Sequence, residues 1–327
     1  MNLRTLGKTG LQVSELALGG LFVSNHGAAF EQGCAAVHRA LELGINYIDT
    51  APTYGNSEEV LGRALEGVEQ PLIISTKLGG RPQPFLPQDK ACLMQSVQES
   101  LRLLKRDQVD ILMVHEPDRP GQYNWWADTE NFTGPVTEVL SELKQQGLIR
   151  FTGLGGTTAY EMAHIIRTSQ FDVVLTAFNY SLLWREAELE VLPAAIEQGM
   201  GIIIGSPLQQ GSLARRYDDE VKNGAAWLSS PRRKQFLALY EFLDEIEIPL
   251  AELGLRFVLS NPTVSCVLSG SRSPEEVEQN VAAAQKGPLT PEILTRLNKI
   301  AAMVPFRPFE EPAGLPFGRQ YRGPGVM

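Results

Sequence analysis

The stretch NYIDTAPTYGNSEEVLGRAL, residues 46–65, holds a strand-like run, a short polar loop and a helix start in one continuous piece. YIDTA has the aromatic and β-branched residues of a buried strand. Asn56-Ser57 followed by two glutamates suits the positive end of a helix. A strand that feeds a helix so directly is half of a β/α repeat, so the reading turns on whether the unit recurs.

It recurs along the whole chain. VSELALGG, YIDTA, LIISTK, VDILMVH, FTGLGG, DVVLTAF, GIIIGSP and VSCVLSG read as eight short strands. Helical spacing fills the intervals at 30–43, 58–65, 89–104, 135–146, 159–168 and 186–198, and Pro274 with Glu275 and Glu276 opens another helix. Strands joined by helical crossovers pair in parallel, and eight such units can close into a barrel. The expected fold is therefore α/β, a single (β/α)8 TIM barrel. An open doubly wound sheet is the alternative, but ALGGLFVSN lacks the GxGxxG loop expected after its first strand.

Residues 1–304 are expected to form the barrel and 305–327 a Pro/Gly-rich tail that covers the substrate pocket or packs on the barrel. EPDRPGQYNWWADTENFTG after strand four and LQQGSLARRYDDEVKNGAAWLSSPRRK after strand seven exceed the simple repeat. Both are read as long loops on the C-terminal face, where barrel enzymes build their sites.

Composition narrows the function. The 327 residues carry a net charge of −9, which argues against nucleic-acid and anionic-membrane partners. Cys34, Cys92 and Cys266 are odd in number and widely spaced, against a disulfide framework or a metal site, and they fit a reducing, cytoplasmic setting. The N-terminus lacks an apolar signal core, and no apolar run approaches about 18 residues.

Read as one rim, the strand ends bring together Asp49 and nearby Tyr54 from strand two, Lys77 from strand three and His115 from strand four. Singly each has an ordinary use: a turn cap, a rim aromatic, a lysine reaching solvent, a satisfied histidine. Together they make a proton-transfer site. A phenol titrates near ~10 and needs a neighbouring cation to act as a base near neutrality. Lys77 can supply that charge, Asp49 can hold the ammonium, and His115 can bond a substrate oxygen or relay a proton.

The chain here resembles the aldo-keto reductase superfamily, through RTLGKTGLQVSELALGG, GINYIDTAPTYGNSEEVLGRAL, ISTKLGG, VDILMVHEPD, LKQQGLIRFTGLGG, GIIIGSPLQQGSL and VLSGSRSPEEVEQNVAA. The resemblance implies a catalytic tetrad at Asp49, Tyr54, Lys77 and His115. It also implies NAD(P)-dependent hydride transfer between nicotinamide and an aldehyde or ketone, or the corresponding alcohol. DVVLTAFNYSLL and VSCVLSGSRSPEEVEQNVAA are similar to the branch of L-galactose dehydrogenase and other aldose 1-dehydrogenases, which implies oxidation of a sugar as an alternative. A further alternative is an NADP(H)-binding redox sensor or interaction module with little turnover.

Cofactor contacts implied by the resemblance fall on Gly20, Leu21, Gly155, Gly156, Asn179, Ser206, Pro207, Leu208, Gly211, Ser269, Gly270, Ser271, Arg272, Glu276 and Asn280. Gly155-Gly156 stands where many relatives have Ser-Asn to hold the carboxamide, and Gly205 where many have a stacking tyrosine. At the adenosine end Arg272 suits a 2′-phosphate and Glu276 suits a free ribose hydroxyl. NADP(H) is expected over NAD(H), because an arginine can move to phosphate while the carboxylate turns outward. The partner is a small carbonyl or alcohol.

Trp125, Trp126 and Trp184 follow barrel strands and are candidates to line the substrate pocket. His26 reads as a solvated loop histidine or a substrate contact, His38 and His164 as surface or packing residues, and Arg215 as the head of a solvated charged face or a contact to the cofactor pyrophosphate. Phe306, Phe309, Phe317 and Tyr321 punctuate the tail.

Overall fold

The computed structural model describes residues 1–168, 170–225, 227–308, 311 and 315–320. A two-stranded hairpin, β1 (Leu3–Thr5) and β2 (Gln12–Ser14), precedes the repeat. Then follow β3 (Leu16–Gly19), α1 (Phe30–Glu42), β4 (Tyr47–Asp49), α2 (Ser57–Ala64), β5 (Ile73–Leu78), α3 (Lys90–Leu104) and β6 (Val109–His115). The chain continues through α4 (Pro135–Gln145), β7 (Ile149–Gly156), α5 (Tyr160–Ile166), β8 (Val173–Ala177), α6 (Val191–Glu197) and β9 (Gly201–Gly205). It ends with α7 (Asp218–Asn223), α8 (Ser230–Ile246), α9 (Leu250–Leu259), β10 (Cys266–Gly270), α10 (Pro274–Gln285) and α11 (Pro291–Ala301).

Strands β3 to β10 close a parallel barrel in sequence order, sealed where β10 pairs with β3. All eight expected strands are present. Burial on both faces explains their near-continuous apolar runs: every residue of β5 is buried, for example. One apolar cluster fills the barrel interior, including Tyr47, Ile111, Met113 and Ile203, and a larger one lies between strands and helices. No described helix is long and apolar enough to cross a membrane.

The structure divides the first expected strand. Val13 and Ser14 belong to the hairpin, and only Leu16–Gly19 enters the barrel. The hairpin plugs the N-terminal end of the barrel with Leu6 and Val13, both wholly buried in the interior cluster. Each such side chain contributes about 1.5–3 kcal/mol through burial.

The segment after β9 also departs from the expected loop. It contains α7 and the start of α8, because DDE supplies an acidic first turn and the Ser229 hydroxyl caps α8 by accepting from the Arg232 N–H at 3.3 Å. In the tail, Phe309 and Tyr321 lie outside the described residues. Phe317 is buried and stacks on Tyr217 with ring centroids 5.0 Å apart, whereas Phe306 is exposed.

Candidate active site

The corner at β4 and β5 begins with a period of two. Tyr47 and Asp49 share one face of β4, and Ser75 and Lys77 share the matching face of β5, with Asp49 in register with Ser75. The Tyr47 hydroxyl lies 2.9 Å from Ser75 Oγ, which donates to Asp49 Oδ1 at 2.6 Å. The other carboxylate oxygen accepts from Lys77 Nζ at 2.6 Å. Asp49 and Lys77 are 1% and 2% exposed, so this is a buried ion pair whose charges cannot be left single.

Lys77 Nζ also donates to the Thr50 carbonyl at 2.8 Å, reaches the Tyr54 hydroxyl, and lies 4.8 Å from the Tyr54 ring centre. Two of its N–H groups thus have acceptors in Asp49 and Thr50, and the Tyr54 hydroxyl is within its reach. Burial works against the ammonium, but Asp49 and then Tyr54 outweigh it and hold the Lys77 pKa above its ordinary value. For Tyr54 burial is the largest influence, and with the Asp49 charge it outweighs the pull of Lys77, leaving the phenol above its ordinary value. Tyr54 therefore keeps its proton at neutral pH.

His115 ends β6 beside Gly155 of β7. Its ring meets Tyr54 edge-on at 6.0 Å, and its Nδ1 is 3.5 Å from Thr53 Oγ1. Burial, followed by the Lys77 charge, drives its pKa down to about 3. The imidazole is neutral and can give or take a hydrogen bond without carrying charge.

The loop that presents Tyr54 is tied at its far end. Ser57 Oγ donates to the Gly20 carbonyl at 2.8 Å and meets Thr50 Oγ1 at 2.7 Å. Asn56 precedes α2 as expected, yet its side chain does not cap that helix; Oδ1 accepts from the Asn25 N–H at 2.8 Å. The helix-start signal therefore marks the right place, while the side chain joins two rim loops.

A cavity of about 350 Å³ runs from Asp49 and Tyr54 across the ends of β9 and β10. Leu21, Ser206, Pro207, Leu208, Gly211, Ser269, Gly270, Arg272, Glu276 and Asn280 line it. Gly20, Gly155, Gly156, Asn179 and Ser271 do not line it. A Cβ on Gly20 would meet Ser57 Oγ at 2.6 Å, and one on Gly155 would touch Lys77 Cε at 3.4 Å. One on Gly156 would meet Asp118 Oδ1 at 2.3 Å. Asn179 Nδ2 donates to the Thr157 carbonyl at 2.8 Å, and the buried Ser271 Oγ accepts from Asn280 Nδ2 at 3.1 Å.

Sequence reasoning missed Phe22, Gln210, Ala214 and Gln279 on the cavity wall. Phe22 carried a signal, as an aromatic in the loop after the first barrel strand. It packs where a Cβ on Gly270 would sit, 2.4 Å away, and supports the Arg272 guanidinium 5.1 Å above its ring.

At the far end the Ser273 hydroxyl caps α10 by accepting from the Glu276 N–H at 3.4 Å. Glu276 Oε2 accepts from the Arg272 backbone N–H at 2.8 Å, and its other oxygen is 3.9 Å from the guanidinium. A helix N-terminus, an arginine and amides line one end beside the Glu276 carboxylate, which is engaged by Arg272, and a protonated phenol lines the other. This donor set fits a long ligand with an anionic portion.

The three tryptophans are packed rather than placed on that wall. Trp125 is wholly buried and its indole N–H donates to the His115 carbonyl at 2.9 Å; Trp126 Nε1 donates to the Pro117 carbonyl at 2.9 Å. Trp184, 1% exposed, donates to Glu311. An indole has a single N–H donor, and in all three it is committed inside the protein.

The aldo/keto reductase family model matches residues 15–302. The chain is 30% identical to L-galactose dehydrogenase of Arabidopsis thaliana, over 86% of this chain and 88% of that one. It is 29% identical to the NADH-specific methylglyoxal reductase of Escherichia coli, over 85% and 92%. Among solved structures, the holo form of aldo-keto reductase AKR11C1 from Bacillus halodurans superposes with a TM-score of 0.74 at 29% identity, over 92% of this chain and 96% of that one.

Proposed function

This chain belongs to the aldo/keto reductase family of oxidoreductases, and from that premise we propose that it catalyses NAD(P)-dependent hydride transfer at a carbonyl or alcohol carbon, with Tyr54 as general acid/base. The observation that carries the reading is the buried Lys77 ammonium, 2.6 Å from Asp49 and within reach of the Tyr54 hydroxyl at one end of the elongated cavity. A bound nicotinamide cofactor would supply or accept the hydride. Tyr54 gives its proton to the developing alkoxide in reduction, and its phenolate takes the hydroxyl proton in oxidation. Neutral His115 bonds the same oxygen and orients it.

Ser206, Leu208 and Gly211 at β9 and Ser269, Arg272 and Asn280 at β10 would hold the cofactor. NADP(H) is preferred over NAD(H). Support comes from Arg272, which stands on the cavity wall, while the Glu276 carboxylate is already engaged by the backbone and guanidinium of that same arginine. The test is a titration with both cofactors, followed by turnover in both directions on a panel of aldehydes, ketones and alcohols. Binding without turnover on any of them overturns the catalytic reading.

A second reading, oxidation of an aldose at its anomeric carbon, is favoured by one feature of the rim. Glu116 follows His115 directly, and its Oε2 accepts from Thr157 Oγ1 at 2.7 Å and lies 3.2 Å from Arg119 Nε. Such a carboxylate–guanidinium–hydroxyl edge suits a hydroxylated substrate more than an aliphatic one. The resemblance to L-galactose dehydrogenase supports it. Aldoses oxidised no faster than simple primary alcohols would rule it out.

A further inference from the structure

The cavity wall after β9 has a backbone that its own residues do not favour. Ser206, Gln209 and Gln210 have φ of 51°, 51° and 52°, and Phe178, at the end of the neighbouring strand, has 67°. Non-glycine residues rarely hold this left-handed conformation unless the surroundings impose it. Leu208 and Gln210 line the cavity, so whatever imposes the conformation also shapes the wall.

The hold centres on Gln209, whose side chain is wholly buried between them. Its Nε2 donates to the Phe178 carbonyl at 2.9 Å and to Ser181 Oγ at 3.2 Å. Its Oε1 accepts from Arg307 Nη2 at 3.3 Å, and the same nitrogen donates to the Phe178 carbonyl at 2.9 Å. One guanidinium thus ties both strained backbone segments together. Arg307 is in turn fixed by its backbone N–H, which donates to the buried Glu186 Oε1 at 2.7 Å, and by the Trp184 ring 5.4 Å away.

A second clamp holds the same segment of chain. Glu311 accepts from Arg232 Nε at 2.9 Å in a pair whose side chains are only 1% and 6% exposed, and it also accepts from the Trp184 indole. Arg232 and Arg307 lie over the same Trp184 ring, at 4.5 Å and 5.4 Å. Arg307 and Glu311 of the C-terminal segment are therefore both anchored at one tryptophan.

We infer that Arg307 is a positioning residue for cofactor binding: acting through Gln209 and Phe178, it holds the wall at Leu208–Gln210 in the shape that receives a dinucleotide. The C-terminal segment is then a working part of the cleft, although Arg307 lies 98 positions after Gln209. The ligand in this statement rests on the nicotinamide reading above. The hold on the loop does not.

The experiment compares wild type with Arg307→Ala, Arg307→Lys and Glu311→Gln, by fluorescence titration with NADPH and by amide hydrogen exchange without cofactor. Arg307→Ala should weaken NADPH binding by about tenfold, with kcat at saturating cofactor changed by less than about threefold. Exchange should quicken at 206–211 and 178–181 while the strands of the barrel stay protected. Arg307→Lys, which can replace one donor but not the fork, should recover part of both effects. Glu311→Gln, which loosens the second clamp only, should move them in the same direction and by less. Unchanged exchange at 206–211 in Arg307→Ala overturns the inference, as does quickened exchange spread evenly over the barrel, which would make Arg307 merely structural. Wild type that binds no nicotinamide dinucleotide would sink the functional reading, and the exchange pattern would still decide whether Arg307 holds the loop.

Discussion

Two sides of the same rim are built on different principles. The corner at β4 and β5 is made of strand residues, in which Tyr47, Asp49, Ser75 and Lys77 follow the period of two and join in one hydrogen-bonded chain. The wall at β8 and β9 is made of residues in left-handed conformations, held by a glutamine and by an arginine from the far end of the chain. The corner needs no distant support, because its charges are paired by neighbouring strands. The wall needs it, because its backbone is unfavourable alone. On the proposed reading, proton transfer falls on the self-sufficient side and cofactor binding on the supported side.

The harshest way to break the contrast is Lys77→Met. It leaves Asp49 charged and unpaired in the barrel mouth, which should cost about 3–5 kcal/mol of stability and abolish most turnover. Urea unfolding measures the first and steady-state kinetics the second. Asp49→Asn combined with Lys77→Met should regain part of the stability and none of the activity. A single variant as stable as wild type would mean that the pair is not the anchor of the corner.

Tyr54→Phe separates chemistry from support within that corner. Ring packing survives and the transferable proton does not, so turnover should fall by about 10²–10⁴-fold, with cofactor affinity and stability close to wild type. Because burial raises the Tyr54 pKa, the wild-type reductive rate should stay level through neutral pH and decline only above the ordinary phenol range near ~10. Turnover of Tyr54→Phe within a few-fold of wild type would remove it as the acid.

His115 sharpens the comparison through pH. Its pKa is about 3 in the fold against an ordinary 6.5, so the fold excludes the proton that the unfolded chain would bind. The stabilising contribution is present in full above about 6.5 and is lost progressively as pH falls toward about 3. His115→Gln should flatten the acid limb of a stability–pH curve measured by denaturant unfolding. An identical limb in both proteins would place the acid sensitivity elsewhere.

The smallest expected effect lies on the wall side, at the exposed end of the cavity. Arg272→Ala should weaken NADP(H) by up to about tenfold and NAD(H) by less than about twofold, because only the former loses a charge-assisted contact. The Arg272 side chain is 55% exposed, which keeps the loss toward the lower end of such contacts. Equal losses for the two cofactors, read from the same fluorescence titration, would move the 2′-phosphate away from Arg272.

How far the chain could be read follows the same division. Strand positions and their helical crossovers were legible from 46–65 outward, since alternation and crossover length are local properties. The tetrad was legible because a strand end is a fixed point in a parallel barrel. Gly20 and Asn179 were placed in the cofactor site by resemblance; in the structure neither lines the cavity, and they bond Ser57 and Thr157 instead. Phe22, although an aromatic after the first barrel strand, and Gln210 went unread because nothing in their immediate neighbours tells which way a loop residue turns.

The amino-acid sequence by itself determined the barrel, its strand order and the meeting of Asp49, Tyr54, Lys77 and His115, because a parallel sheet with crossover helices leaves few ways to arrange eight strands. Only the tertiary structure decided that Trp125, Trp126 and Trp184 turn inward, that Phe22 covers Gly270, and that Arg307 ties Gln209 to Phe178. Those contacts join parts of the chain that have no periodic relation to one another. Burial selects them: each indole N–H, amide and guanidinium must find an acceptor inside, and only the closed barrel brings those acceptors within reach.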